Sequence, residues 1–290
     1  MADLAPIVIT GASSGIGRVA AFRLAREQRP LVLICREGPK ARAVHAEIIR
    51  ATGNRAVELE PADLSSQAQI RAAAQSIRER HKTIAVLINN AGAAFSERQV
   101  SVDGIEMTFA VNHLAPFLLT SLLLDRLKAG APARIVNVAS DAQRPLRLDD
   151  LDRTKAYQSF DVYRETKLAN ILFTFELGRR LAGSRVTANA LAPGYLRTAL
   201  IRDTRPLMRT LQSLAGFFIM ESAEKGGARI VNLALSPDLA GTTGEYFLKT
   251  QPAKAIASAY DTALAAQLWA MSERLTGLAP MPERFDTAAQ

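Results

Sequence analysis

The chain has 290 residues, 48% hydrophobic and 22% charged, the proportions of an ordinary globular protein and enough for one large α/β domain. Its single cysteine, Cys35, excludes an intrachain disulfide, and His45, His81 and His113 lack the spacing of metal ligands, so no metal site is expected. The net charge of +8 would permit an anionic partner, but the basic residues are scattered among acidic neighbours, as in Arg23, Arg26, Glu27 and Arg29, and no nucleic-acid partner is expected. Met1 to Pro6 lacks the basic segment and apolar core of a secretory signal, so a cytoplasmic location is expected. The apolar stretch Leu114 to Leu124 is interrupted by Pro116, Thr120 and Ser121 and falls short of the ~18 residues that suggest a membrane span.

In chain order, Pro6–Thr10, Leu31–Cys35, Ala56–Leu59, Ile84–Ile88, Arg134–Val138 and Val186–Leu191 read as strands that are apolar on both faces. Between them, Arg18–Arg29, Lys40–Thr52, Ser65–Arg80 and Tyr163–Leu181 read as helices. Gly53-Asn54 is a helix stop, and Asp63-Leu64-Ser65 followed by Gln69 a helix start. Glu245–Lys249 is a last strand after the turn at Gly241–Gly244, whereas the pattern loosens from Thr198 to about Gly227. The repeated strand-then-helix order predicts an α/β, single-domain, doubly wound Rossmann fold over residues 1–290, with a mostly parallel sheet of about seven strands.

The first strand runs into Thr10-Gly11-Ala12-Ser13-Ser14-Gly15-Ile16-Gly17 and then into a helix. Such a turn aims backbone N–H groups and a helix N-terminus at a pyrophosphate, and glycine lets the ligand approach closely. The spacing of Gly11, Gly15 and Gly17 resembles the T-G-x-x-x-G-x-G of the short-chain dehydrogenase/reductase family. At the end of the second strand stands Cys35-Arg36, where NAD enzymes often place an acid. Arg36 can pair with a 2′-phosphate, which favours NADP; Ser14 carries no charge where many NADP-binding relatives have a basic residue, which keeps NAD as the alternative. By the same resemblance Asp63-Leu64 flank the adenine, with helix capping a compatible role for Asp63. Asn89-Asn90-Ala91-Gly92 lines the cofactor ribose, and Pro193-Gly194 with Thr198 covers the nicotinamide.

Tyr163-Arg164-Glu165-Thr166-Lys167 is a Y-x-x-x-K pair, with i and i+4 on one helix face. The resemblance makes Tyr163 the proton donor and acceptor, Lys167 the holder of the nicotinamide ribose, and Ser140 the partner of the substrate oxygen. It also makes Asn112 the anchor of a water in the proton relay. A lysine ammonium beside a tyrosine, with the charge of an oxidised nicotinamide, should lower the phenol pKa. His113 is expected to be packed rather than catalytic.

Longer stretches resemble the retinol dehydrogenase-like branch: Asp103-Gly104-Ile105-Glu106, Val111-Asn112-His113-Leu114, Lys167-Leu168-Ala169-Asn170-Ile171-Leu172-Phe173, and Ser272-Glu273-Arg274-Leu275-Thr276-Gly277-Leu278. The implied activity is hydride transfer between NADP(H) and a carbonyl or alcohol of a small apolar molecule. The alternatives are reduction of a C=C bond or a polycyclic ketone, or a catalytically silent NADP sensor. Leu211–Met220, within a segment of about 198–227, would be an apolar substrate lid, a membrane-surface patch or a subunit contact, and the resemblance allows a homo-oligomer.

Overall fold

A computed structural model describes residues 4–194, 201–202, 221–282 and 284. The runs of Val, Ile and Leu form strands β1 (Ile7–Thr10), β2 (Leu31–Cys35), β3 (Val57–Pro61) and β4 (Val86–Asn89), followed by a two-residue β5 (Ala94–Phe95). Next come β6 (Ala133–Val138), β7 (Val186–Ala192), a short β8 (Ile201–Arg202), β9 (Tyr246–Leu248) and β10 (Gln251–Pro252). The main sheet has the order β10-β9-β7-β6-β4-β1-β2-β3. Seven of its strands are parallel, and the eighth, β10, is a short antiparallel edge. This is the doubly wound order, whose direction reverses between β1 and β4 and opens a crevice at their carboxyl ends. β5 and β8 pair separately.

Every residue of β1, β2, β4 and β7 is buried, because helices cover both faces. Helices α1 (Gly15–Arg26), α2 (Pro39–Thr52) and α3 (Gln67–Arg80) follow the first three strands. A short α4 (Met107–Phe109) leads through a π-turn (Ala110–Leu114) into α5 (Ala115–Ala129). The longest helix is α6 (Ser159–Arg180), and α7 (Ala223–Leu235) and α8 (Thr262–Thr276) complete the set. α1, α2 and α7 share one apolar core with one face of the sheet, while α3, α5 and α6 share a second with the other.

Boundaries differ from the sequence reading where capping decides them. α1 starts at Gly15, so the glycine turn is itself the helix entry. α3 is capped by Ser66, whose hydroxyl accepts from the Gln69 N–H at 3.4 Å, while Asp63 accepts from the Ser65 N–H at 2.9 Å one turn earlier. α6 begins at Ser159, so Tyr163 lies in its second turn. The membrane reading also needs correction. Met107–Ala129 is long and apolar enough to cross a membrane by length and composition, and 78% of its apolar window is buried inside the molecule. Pro116 does not stop this helix, because it sits in the first turn of α5, directly after the π-turn that accommodates a residue with no N–H.

Candidate active site

The glycine turn and the end of β4 are built against each other. Gly11 has φ +72°, and a Cβ there would lie 2.9 Å from the Ala91 Cα. At Gly17 a Cβ would fall 2.2 Å from Asn90 Nδ2 and 2.5 Å from the Gly11 carbonyl oxygen. No side chain fits either place. Thr10 closes the junction: its Oγ1 accepts from the N–H groups of Asn90 and Ala91, both at 3.0 Å, and Asn90 Nδ2 donates to the Thr10 carbonyl at 2.8 Å. Asn90 Oδ1 is buried without a protein partner. Ser14 caps α1 in extended conformation, but its side chain makes no capping hydrogen bond. The turn, the bare start of α1 and the free Asn90 oxygen thus form a cradle of hydrogen-bonding groups suited to an anionic dinucleotide.

At the end of β2, the Cys35 thiol is buried, and burial pushes its pKa up. Arg36 is exposed, and among the described residues it has no ion-pair partner; the neighbouring Glu37 is taken by Arg42 at 3.3 Å. Asp63 spends one carboxylate oxygen on the N–H and hydroxyl of Ser65, at 2.9 and 2.8 Å.

Across the crevice, α6 brings Tyr163 and Lys167 onto one face, the lysine Nζ 5.5 Å from the centre of the tyrosine ring. Both are nearly fully buried, at 7% and 3% exposure. Ser140 follows β6 beside the Tyr163 phenol, where it acts to lower the tyrosine pKa; its Oγ accepts from the Ala142 N–H at 3.1 Å and donates to Asp141 Oδ1 at 3.4 Å. Lys167 Nζ donates to the Val138 carbonyl at 2.9 Å. Asn112 is wholly buried in the π-turn, where the Ala115 N–H reaches five residues back to the Ala110 carbonyl. It grips Ala93 from both sides, accepting from its N–H at 2.8 Å and donating to its carbonyl at 2.9 Å. Asn112 Nδ2 also donates to Thr166 Oγ1 at 3.0 Å, tying the π-turn to the helix that carries the tyrosine. A wide turn is a common device for turning a side chain into a site.

Burial dominates the electrostatics. It raises Tyr163 to about 12, against a smaller opposing effect of Ser140, and it lowers Lys167 to about 8. The lysine by itself, without the nicotinamide charge that the expectation also invoked, does not lower the tyrosine. The ammonium is turned to the Val138 carbonyl, and loss of hydration around the phenolate outweighs it. His113 is packed against Phe109, Phe117 and Phe173, and burial lowers it to about 3, so it is neutral.

The short chain dehydrogenase family profile matches residues 5–208. The chain belongs to the short-chain dehydrogenase family. It is 41% identical over 279 residues to human retinol dehydrogenase 13, covering 94% of this chain and 84% of that one. Human retinol dehydrogenase 11 is 40% identical over 274 residues, with 94% and 86% covered. A crystal structure of an uncharacterized protein from Mycobacterium paratuberculosis superposes with a TM-score of 0.76 at 32% identity, covering 97% of this chain and 98% of that one. This short-chain dehydrogenase is therefore a retinol dehydrogenase-like oxidoreductase of alcohol or carbonyl groups.

The remaining residues of the short-chain dehydrogenase site divide by whether local spacing announces them. Pro193 and Gly194 follow directly on β7. Thr198 and Leu211–Met220 lie outside the described residues. Sequence reasoning did not single out Thr166, Val138 or the pair Glu221–Arg229. Arg229 donates to the Pro193 carbonyl at 2.6 Å and to both oxygens of Glu221 at 2.5 and 3.0 Å. Thr166 was within reach, since it lies inside the Y-x-x-x-K repeat; a backbone carbonyl and a distant ion pair carry no local signal.

Proposed function

We propose that this protein transfers a hydride between NADP(H) and the carbonyl or alcohol carbon of an apolar small molecule, with Tyr163 moving the proton at the oxygen. The observation that carries this reading is that Tyr163 and Lys167 share one face of α6, the lysine Nζ 5.5 Å from the centre of the tyrosine ring, with Ser140 beside the phenol and the glycine cradle across the crevice. The residues fit the cofactor: Gly11, Ser13, Ser14, Gly15, Ile16 and Gly17 would hold its pyrophosphate, and Asn90, Ala91 and Gly92 its ribose. Asp63 and Leu64 would flank the adenine, and Pro193, Gly194 and Thr198 the nicotinamide. Exposed and unpaired among the described residues, Arg36 suits a 2′-phosphate, which supports NADP over NAD.

The bound nicotinamide would supply or accept the hydride. Ser140 would hold the substrate oxygen and stabilise charge developing on it. With its pKa raised to about 12, Tyr163 keeps its proton at neutral pH and is ready to deliver it to that oxygen, which suits the reducing direction. Lys167, lowered to about 8, exchanges protons near neutrality and could refill the tyrosine, with Asn112 positioning the groups behind it. Phe160 supports an apolar substrate. It lies one turn before Tyr163, is 62% exposed, and has its ring nearly parallel to the tyrosine ring at 6.4 Å between centres.

The test is a panel of aldehydes, ketones and alcohols followed with both NADPH and NADH. Turnover of apolar carbonyls with NADPH is expected, and Tyr163→Phe should reduce it by about 10²–10⁴-fold with NADPH affinity retained. Full turnover in that variant would remove the proton role from Tyr163.

A further inference from the structure

The end of β7 is held by side chains that arrive from three other parts of the chain. Gly194 has φ +90°, a conformation that L side chains rarely adopt. A Cβ there would meet Glu221 Oε2 at 2.9 Å and Arg229 Nη1 at 3.0 Å, so the two charged groups are packed directly on the turn. Arg229, on α7, uses one nitrogen for both the Pro193 carbonyl and Glu221, and its second nitrogen for the other carboxylate oxygen. The Lys249 N–H donates to the Ala192 carbonyl at 2.8 Å, and its ammonium turns back to within 3.7 Å of the same carboxylate. Lys225 adds a further cation at 3.9 Å.

Glu221 is therefore surrounded by three cations, with Arg229 the closest. The arginine hydrogen bonds hold its carboxyl down to about 2, so it is ionised at neutral pH. The guanidinium itself is only 12% exposed, which shields the pair from the screening that weakens surface ion pairs. One planar fork thus ties the Pro193–Gly194 turn to Glu221, on either side of residues 195–220 in the sequence.

We propose that Arg229 and Glu221 are positioning residues for the nicotinamide end of the cofactor site: through the Pro193 carbonyl and the face of Gly194, they fix the turn that the cofactor contacts. The proposal rests on the reading above, in which Pro193 and Gly194 cover the nicotinamide. Neither side chain takes part in bond making or breaking. Their loss should therefore show as weaker cofactor binding rather than as loss of the proton step.

The experiment compares wild type with Arg229→Met, Arg229→Lys, Glu221→Gln and the double variant Arg229→Met/Glu221→Gln. NADPH affinity is measured by fluorescence titration, steady-state kinetics are run on the best carbonyl of the panel, and thermal melts are recorded. Arg229→Met and Glu221→Gln should each weaken NADPH binding and raise its KM by about tenfold, the scale of one charge-assisted hydrogen bond, with kcat changing by less than about threefold. Arg229→Lys keeps the charge and a single donor nitrogen but loses the second nitrogen's contact with Glu221, and should recover part of the affinity. The double variant should be little worse than the worse single one, because the two act as a unit.

NADPH affinity within twofold of wild type in Arg229→Met overturns the proposal. So does a lower melting temperature whose folded fraction still binds NADPH normally, which would make the pair purely structural. A wild-type protein that binds neither NADPH nor NADH overturns the functional reading and the proposal together, whereas normal wild-type binding with unaffected variants overturns the clamp alone.

Discussion

Lys167 and Arg36 illustrate two kinds of charged residue, one defined by what surrounds it and the other by what does not. Lys167 is 3% exposed with a single carbonyl partner, and burial lowers it to about 8 from the usual lysine value of 10.5. Between those two values the unfolded chain carries a proton that the folded protein lacks, so stability should rise with pH across that window. Lys167→Met should lose this rise in a series of denaturant melts from pH 7.5 to about 10.5; an unchanged slope would mean that the amine is better solvated than its burial indicates. Arg36 is the opposite case, an exposed guanidinium with no ion-pair partner among the described residues. Arg36→Asp should reverse the NADPH preference, with kcat/KM for NADPH falling on the order of a hundredfold and that for NADH retained or improved. Equal losses with both cofactors would place Arg36 outside the 2′-phosphate site.

At the scale of elements, the segment between Ser140 and Tyr163 is anchored by a buried ion pair that sequence reading passes over. Arg153 has φ +52° and is 3% exposed, and its guanidinium contacts Glu165, which is wholly buried on α6 two residues after the tyrosine. Arg147 adds a second, half-exposed contact to Glu165 at 3.2 Å. Arg153→Met strands the Glu165 carboxylate and should cost about 3 kcal/mol, the low end for breaking a buried pair, because Arg147 still offsets part of the charge. Replacing both Arg153 and Glu165 by apolar residues should restore much of it in urea melts; a double variant as unstable as the single one would contradict the account. The π-turn works at the same scale. Pro116 has no N–H to return to the Asn112 carbonyl, and the wider turn places the Asn112 side chain between Ala93 and Thr166.

The whole molecule is a sheet with two helical layers, and the layer away from the glycine cradle is joined by aromatic packing. Phe117 of α5 is fully buried, its ring 5.5 Å from Phe173 of α6 and 5.1 Å from Trp269 of α8, the latter contact edge-on. The Arg180 guanidinium lies over the same indole at 4.1 Å. Phe117→Ala should cost about 3–5 kcal/mol and lower Tm by roughly 10 °C. Its kcat at low temperature should stay near wild type, because the ring contacts it loses are with His113, Phe173 and Trp269, none of them a candidate site residue. A normal Tm would show that this cluster is not what joins the helices of that layer.

The order of strands and helices, the glycine turn, the Asn-Asn-Ala-Gly end of β4 and the Tyr163–Lys167 pair were legible in the amino-acid sequence. Each depends on neighbours within about a turn or on the period of apolar residues, and such signals survive in one dimension. The family and the candidate site followed from them. What only the tertiary structure decided was the environment of those residues. Tyr163 is held up near 12 because elements far apart in sequence remove its water. Met107–Ala129, whose composition would suit a bilayer, is instead largely buried inside the molecule. The Glu221–Arg229 fork meets Pro193 only because α7 packs beside the end of β7. Pairing and spacing are local properties of the chain, whereas desolvation and long-range ion pairing belong to the fold, which is why the Tyr163–Lys167 pair could be read from sequence but the proton affinity of its tyrosine could not.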